Sequence, residues 1–359
     1  MARVKLDRAA APAPPWRLSS LTLGALPLLN HFLDRLQLDA LLARYLPQPD
    51  RRLRLAPATA LALLLRNILI GRAPVYALEE WAAPFDPALL HLTQAQMSVL
   101  NDDRVGRALD HLFDADRASL LTEVVVRAVQ EFRVNLDELH NDSTTVTFSG
   151  EYRDAAQGRP RRGQRTLAIT HGHNKDHRPD LKQLLWILTV SADGAVPVHY
   201  RAADGNTTDD RTHCHTWDTL HQLLGRADFL YVADSKLCTR EALTYIAAQG
   251  GRFLTVLPRT RREDRWFRDW LQTHTPAWQE VRRAPPRRRH HGPPDIYRLT
   301  DSPIRSAEGY RILWVYSSLK AEQDHTARQA RIEKGIFALE ALETRLRAPR
   351  CRFRTGAAV

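Results

Sequence analysis

Apolar residues follow a helical period over the first third of the chain and predict an all-helical domain at 20–133. Leucines from Leu26 to Leu36 recur every three or four residues, as on a buried helix face. Pro57 suits the first turn of a further helix. Asn101 and Asp116 suit N-caps, because their side chains accept hydrogen bonds from the first helical N–H groups. The pattern fits a DNA-binding module and a packing or dimerisation module equally well.

From 134 onward the period of the apolar residues changes to two, which is typical of strands. Ala192-Asp193-Gly194 supplies a hairpin turn signal between two of them. The resulting order, β-β-β-α-β-α-β, predicts an α/β fold at 134–258, with a mixed sheet flanked by helices. It is the order of the ribonuclease H-like fold. Strands are expected at 136–148, 183–191, 196–201, 229–233 and 253–257, with a weaker candidate at 165–170.

A third region, 259–347, mixes basic and apolar segments and is predicted as a partly β C-terminal domain. Its segments are a basic amphipathic helix at 261–271, a basic loop at 285–294, strands at 296–299 and 310–317, and a long helix at 320–347. Residues 1–18 are rich in alanine and proline and predict a disordered tail, and residues 348–359 form a tail without a pattern.

The charge balance favours a polyanionic partner. The net charge is +11 and the pI about 9.9, as in many proteins that bind DNA or RNA. Codon bias can explain arginine in place of lysine, but not the excess of positive charge. The three cysteines form no CxxC pair, which indicates a reducing compartment. The start lacks an apolar signal segment, and Arg66 interrupts the longest apolar run, so we expect a soluble cytoplasmic protein.

Two aspartates in strand-like contexts are the candidate chemistry. Asp142 lies within the first predicted strand and Asp234 directly follows the fourth, 92 positions later. A carboxylate is costly to bury unless it is paired or holds a metal. Taken singly, Asp142 could be a turn or cap residue, although the β-prone run after it is unlike a turn, and Asp234 could cap the next helix. The two together, in this fold order, favour a shared metal site.

Several stretches in a fixed order resemble the insertion-sequence transposases of the DDE type, within the ribonuclease H-like superfamily. The resemblance is to the subgroup with a β-rich insertion before the final Glu, and it covers about 20–347. The stretches that carry it are His140-Asn141-Asp142-Ser143-Thr144-Thr145, Gly172-His173-Asn174-Lys175-Asp176-His177-Arg178-Pro179-Asp180, Gly205-Asn206-Thr207-Thr208-Asp209 and Val232-Ala233-Asp234-Ser235-Lys236, together with Asn101-Asp102-Asp103-Arg104-Val105-Gly106-Arg107.

The resemblance implies a chemistry, a cofactor and partners. Asp142 and Asp234 would be catalytic metal ligands, with Asp142 bridging two Mg²⁺ or Mn²⁺ ions that stabilise the attacking and leaving oxygens of a phosphodiester. The reaction would be hydrolysis and strand transfer at the inverted-repeat ends of the element, followed by joining to target DNA. Proteins of this family generally work as dimers on DNA.

Basic residues outside the aspartate pair are candidate DNA contacts. They would bind phosphates of the backbone, and the tryptophans Trp266 and Trp270 interleave with some of them. A solvated helix face with core tryptophans explains the arginines equally well, and solvated side chains explain the lysines. The candidates are Lys175, Lys236, Arg261, Arg262, Arg265, Arg268, Arg287, Arg288 and Arg289.

The third carboxylate of the family is not evident. The family places a Glu within a Tyr-x2-Arg-x3-Glu-x6-Lys pattern, and Glu333, Glu340 and Glu343 of the last predicted helix lack the Arg and Lys at these spacings. We therefore expect a transposase truncated at its C-terminus. Translation of the DNA beyond codon 359 in all three frames tests this, and a sequence without such a helix leaves it unsupported.

Two other functions remain open. A chain without the third ligand could be an inactive DNA-binding fragment that represses transposition or poisons a multimer. A ribonuclease H-like nuclease unrelated to transposition would instead cleave without preference for inverted-repeat ends.

Overall fold

The chain divides into two units, Met1–Thr255 and Val256–Val359. The computed structural model describes residues 20–46, 53–155, 157–173, 178–208, 212–285 and 292–347. The predicted disordered tail at 1–18 and the tail at 348–359 therefore lie outside the described residues. The predicted domain boundaries at 133 and 258 stay predictions.

Seven helices precede the sheet in the described part of the first unit. Two predicted caps are confirmed, since Oδ1 of Asn101 accepts from the Arg104 N–H at 3.0 Å and Oδ1 of Asp116 accepts from the Ser119 N–H at 3.1 Å. The helices are α1 (Leu26–Arg35), α2 (Leu38–Tyr45), α3 (Pro57–Ile70), α4 (Leu78–Ala82), α5 (Gln94–Met97), α6 (Asp102–Asp114) and α7 (Arg117–Phe132), with 3₁₀ turns at Val75–Ala77 and Pro87–Leu90.

Helix α3 is the apolar centre of this helical region. Its alanines and leucines pack in one buried cluster with side chains of α2, α4, α6 and α7. Arg66 on the same helix is also fully buried, and its side chain binds groups of α1, α2 and α3. Within the described residues no single helix is long and apolar enough to cross a membrane, and α3 meets that test only together with Val75–Ala82, across a bend of 101°.

The predicted strands form one mixed five-stranded sheet, which confirms a mixed α/β architecture. The strands are β1 (Glu138–Phe148), β2 (Lys182–Ser191), β3 (Pro197–Ala203), β4 (Leu230–Ala233) and β5 (Arg252–Thr255), and the helices α8 (His213–Leu224) and α9 (Arg240–Ala248) connect the last three. The order across the sheet is β3-β2-β1-β4-β5. Strands β1, β2 and β3 pair antiparallel, whereas β4 and β5 run parallel to β1. The weaker candidate at 165–170 is not a strand and contributes only one bridge, Thr170 to Gln183.

The two faces of the sheet differ in burial. Alternate residues of β1 and β2, among them Leu139 and Ile187, are fully buried. Trp217 of α8 is also fully buried and stacks on Phe229 with ring centroids 5.9 Å apart. The opposite face of β1 carries His140, Asp142 and Thr144, all of which are exposed. The sheet is therefore amphipathic at β1, and its open face is the one that carries the first candidate aspartate.

Two glycines bring the polar stretches around 172 and 205 against β2. Gln183 is buried, and its Nε2 donates to the carbonyl oxygen of Gly205 at 2.8 Å. A Cβ at Gly205 would lie 2.0 Å from the Gln183 carbonyl oxygen, and a Cβ at Gly172 would lie 2.0 Å from that of Gly205. Only glycine allows this backbone contact, which explains both glycines in physical terms.

We expect Gly205→Ala to destabilise the first unit by roughly 1–3 kcal/mol or more, because the clash is with backbone rather than with a movable side chain. The midpoint of urea unfolding, followed by circular dichroism, measures this. Gly106→Ala on α6 is the matched control, since no atom lies within 4 Å of its Cβ. That change should be neutral or slightly stabilising. Equal midpoints for both variants would contradict the packing described.

The second unit combines a short helix, a three-stranded sheet and a long helix. They are α10 (Arg262–Trp270), β6 (Gln279–Ala284), β7 (Asp295–Asp301), β8 (Leu313–Ser317) and α11 (Ser318–Arg347), with the antiparallel order β6-β7-β8. Phe267 of α10 stacks on Trp314 of β8 with ring centroids 3.9 Å apart. Helix α11 buries none of its described residues.

Candidate active site

The register between β1 and β4 brings the two candidate aspartates together. The last pair of this parallel ladder is Asn141 with Ala233. Asp142 directly follows Asn141, and Asp234 directly follows Ala233. The two aspartates are 92 positions apart in the sequence, as are the two residues of every pair in the ladder. Neighbouring strands lie about 4.8 Å apart, and residues in register point to the same side. The backbone positions of Asp142 and Asp234 are therefore neighbours where the parallel pairing of β1 and β4 ends.

Asp142 is held on the central strand of the sheet. Its Oδ1 accepts from the N–H of Ser143 at 2.7 Å, and its antiparallel partner on β2 is Leu188. The side chain is exposed, whereas Asn141 is buried and its Oδ1 accepts from the Thr189 hydroxyl at 2.9 Å. The strand is thus fixed from its buried face, and the carboxylate remains accessible on the other.

Asp234 closes the turn that follows β4. Its Oδ1 accepts from the N–H of Lys236 at 2.9 Å, and its backbone carbonyl accepts from the Thr255 hydroxyl at 2.6 Å. The alternative prediction that Asp234 caps the next helix is wrong, because Thr239 is the N-cap of α9 and its hydroxyl accepts from the Ala242 N–H at 3.2 Å. Asp234 is a turn residue instead. The side chain is nevertheless exposed, and the turn uses one of its two oxygens. A turn role and a ligand role are compatible here.

The donor set suits a hard divalent cation. Mg²⁺ prefers oxygen ligands, keeps several waters and is commonly held by one or two carboxylates. Two adjacent exposed carboxylates provide such a set. Among the described residues, no group of three or more His, Cys, Asp or Glu side chains is placed to hold a metal. Glu333, Glu340 and Glu343 lie on the exposed helix α11 of the second unit.

The basic candidates fall into three groups. Lys236 is exposed, directly beside Asp234 in the turn. Arg262 and Arg265 are exposed on α10, while Arg268 binds Asp264 at 2.8 Å with 57% of its side chain exposed. Lys175, Arg287, Arg288 and Arg289 lie outside the described residues.

Arg261 differs from the other basic candidates because its side chain forms ion pairs with residues of the second unit. Its guanidinium donates to both oxygens of Glu308, at 3.0 and 2.5 Å, and lies 3.5 Å from Glu263. Only 20% of the Arg261 side chain is exposed, and the hydrogen bond from Arg261 lowers the pKa of Glu308. A structural role therefore explains Arg261 without DNA.

Two aromatic residues that the sequence did not single out lie on the Asp142 face. Leu188 pairs with Asp142 on one side and with Tyr200 on the other, so these three residues form one row across β1, β2 and β3. Trp186 points to the same side and stacks on Tyr200, with ring centroids 4.6 Å apart. The alternation within 183–191 and the turn signal at 192–194 indicate the two paired strands, but not the register that brings Tyr200 onto Trp186.

Comparisons with known proteins match the chain only in part. A family described as a domain of unknown function (DUF4277) matches residues 18–126, which include most of the helical region. That is less than a third of the chain. No curated protein matches the sequence.

Three solved structures are similar to the chain. A piggyBac transposase synaptic complex with hairpin DNA matches at 8% identity and a TM-score of 0.39, over 78% of this chain and 58% of that chain. The Mos1 transposase paired-end complex with the left transposon end matches at 11% identity and a TM-score of 0.22, over 64% of this chain and 74% of that one. The Mos1 strand transfer complex matches at 12% identity and a TM-score of 0.22, over 64% and 73%. At these values the matches do not assign the chain to a family.

Proposed function

We propose that the chain is a DNA transposase of the DDE type with a ribonuclease H-like core, and that it acts on the ends of its own element. One observation carries the proposal. In the parallel register of β1 and β4, Asp142 and Asp234 each directly follow the last pair, Asn141 with Ala233, in a sheet with the order β3-β2-β1-β4-β5, and this supports a shared site. The net charge of +11 supports a DNA partner.

The chain's own residues have definable tasks in this proposal. Asp142 and Asp234 would hold the divalent ions, which supply charge stabilisation for the attacking and leaving oxygens. The Ser143 and Lys236 N–H groups fix one oxygen of each carboxylate, which orients the second. The side chain of Lys236 is exposed beside the pair and would contact a phosphate of the bound strand.

A nicking assay tests the proposal. The substrate is a supercoiled plasmid that carries the DNA flanking the coding region on both sides. We expect nicks at the flanking ends in Mg²⁺ or Mn²⁺, and none in EDTA, because two carboxylates alone do not activate a phosphodiester. The control plasmid lacks the flanking DNA.

Each other outcome has a defined meaning. Binding of the ends without any cleavage contradicts the enzyme and favours the inactive DNA-binding fragment. Cleavage of both plasmids to the same extent contradicts transposition and favours a nuclease of broad specificity.

A further inference from the structure

An open cavity of the first unit is lined by Tyr200, which lies on the same face of the sheet as Asp142. Its volume is about 820 Å³, within the range of small-molecule sites. The floor is formed by Leu184, Tyr200 and Ala202 of the sheet. Ala118 and Leu121 of α7 form one apolar wall. A flat apolar group therefore has a surface on which to lie.

The Tyr200 ring is the part of this floor that is built for stacking. Trp186 packs on it with an interplanar angle of 17°, which fixes the plane of the ring. The side chain is still 37% exposed, although it lies on a paired strand. An aromatic ring that is backed by a second ring and open to solvent is a platform for a third ring.

The rim of the cavity is basic. Four arginines line it, Arg117, Arg161, Arg165 and Arg201, against two aspartates, Asp116 and Asp154. Asp116 is already engaged as the cap of α7. Arg161 is 3.9 Å from Asp154 and 64% exposed, and Arg165 is 79% exposed, so both guanidinium groups are accessible to a second anion. Arg117 lies over the Phe113 ring, 4.9 Å from its centroid.

The cavity is also aligned with the aspartate pair. Asp142, Leu188 and Tyr200 occupy one row across three adjacent strands and share a face. Two strand spacings make the backbone distance from Asp142 to Tyr200 about 10 Å. The rise of a DNA strand is about 3.4 Å per nucleotide, so Tyr200 lies within a few nucleotides of a phosphate held at Asp142.

A cavity with an exposed aromatic ring and a rim of arginines suits a ligand in which a flat base is joined to a phosphate. We propose that this cavity binds an unpaired nucleotide of a DNA strand whose cleavage site is held at Asp142 and Asp234. The base stacks on Tyr200, and Arg161 and Arg117 bind the flanking phosphates. This inference rests on the proposed function for the identity of the strand, but its binding step needs no metal.

Fluorescence anisotropy with a labelled twelve-residue oligo-dT tests the site, using the full chain in EDTA so that cleavage cannot contribute. We expect Tyr200→Leu to weaken binding about tenfold, the effect of losing one stacked base. Tyr200→Phe keeps the ring and should bind like the wild type. Arg161→Gln should weaken binding and lower the slope of log K against log salt by about 0.7, the value for one phosphate of a single strand.

The matched control is Arg153→Gln. Arg153 is an arginine of the same loop that is 81% exposed, binds Glu151 and does not line the cavity. Its loss should leave the affinity unchanged. Unfolding midpoints of all variants identify any loss that comes from misfolding. Unchanged affinity in folded Tyr200→Leu would overturn the proposal.

Photo-crosslinking locates the base independently. An oligo-dT with one 5-iododeoxyuridine should crosslink to the peptide that contains Tyr200, and a crosslink confined to other peptides overturns the proposal. Competition by free dTMP at the affinity of the oligonucleotide would also overturn it, in favour of a pocket for free nucleotides.

The failure of this site and the failure of the transposase proposal are distinguishable. If Tyr200→Leu weakens binding but no nicking occurs, the site stands and the transposase proposal fails. If nicking depends on the aspartates but Tyr200→Leu binds the oligonucleotide normally, the transposase proposal stands and the nucleotide site fails.

Discussion

Asp142→Asn should reduce Mg²⁺-dependent nicking by about a thousandfold. A bound metal contributes several kcal/mol to stabilisation of the transition state, and each 1.4 kcal/mol is a factor of ten in rate. The amide has the shape of the carboxylate and its oxygen can still accept from the Ser143 N–H, so the fold should be unchanged. Asp234→Asn should have the same effect, and the double variant should lose little more, because the two residues act as one unit.

Two control variants test whether the loss of nicking is specific to the proposed metal ligands. Asp193→Asn removes a carboxylate in the hairpin between β2 and β3, where Oδ2 accepts from the Asn135 N–H at 2.9 Å, and should leave nicking unchanged. Asp142→Cys should regain part of its activity in Mn²⁺ rather than Mg²⁺, because softer ions accept sulfur ligands more readily. Nicking by Asp142→Asn within tenfold of the wild type would remove the residue from the site.

Arg66→Met should destabilise the helical region by about 3 kcal/mol, the lower end of the usual cost of removing one partner of a buried ion pair, because Arg66 is fully buried but the Asp39 side chain is 38% exposed. The guanidinium donates to Asn30 Oδ1 at 2.9 Å, to the Ala62 carbonyl at 3.1 Å and to Asp39 Oδ2 at 3.2 Å, and it lies 3.0 Å from His91 Nδ1. Asn30, Asp39 and Ala62 belong to α1, α2 and α3, and His91 directly follows the 3₁₀ turn Pro87–Leu90. Methionine fills the volume but leaves Asn30 and Asp39 without their donor.

The midpoint of urea unfolding measures the effect of Arg66→Met. Arg44→Met is the matched control, since Arg44 also binds both oxygens of a carboxylate, that of Glu123 at 2.9 and 2.8 Å, but is 64% exposed. Exposed pairs contribute less than about 1 kcal/mol. Similar midpoints for the two variants would show that the buried network is not a stabilising element.

The pH dependence provides a second readout for the same network. Burial alone would raise the pKa of Asp39, but hydrogen bonds from Arg66 and His91 lower it below its ordinary value. A depressed carboxyl pKa stabilises the fold above the pKa of the unfolded chain, and this contribution is lost as the pH falls through the folded pKa. Unfolding midpoints measured between pH 7 and acid should therefore fall less steeply in Arg66→Met than in the wild type.

The sequence predicts the strands of the first unit well because their apolar period is two and their ends carry turn residues. The turn signal at 192–194 indicates that β2 and β3 pair, but the pattern does not show the register of β1 with β4, in which Asp142 and Asp234 directly follow the last pair. The helical pattern that begins at Leu26 does not show the break between α1 and α2, because Gln37 adopts a positive φ of 51° without a glycine or proline to signal it.

Other features depend on contacts between residues far apart in the chain. Strand β6 is exposed at five of its six residues, so no apolar alternation marked it. The arginines of 261–268 look alike in the sequence, yet Arg261 alone meets Glu308, which is 47 positions away. Tyr200 stacks on Trp186 because β2 and β3 pair in one particular register.

The ladder between β1 and β4 also sets how the gene can change. A codon inserted or deleted between Glu138 and Asp142 would move the carboxylate to the opposite face of the sheet or out of step with Asp234, because strand side chains alternate. Substitutions at residues 138–141 keep Asp142 in register with Asp234, whereas changes of length do not. Lineages of this gene that remain functional should therefore keep Asp142 and the length of this segment, while the identity of residues 138–141 varies.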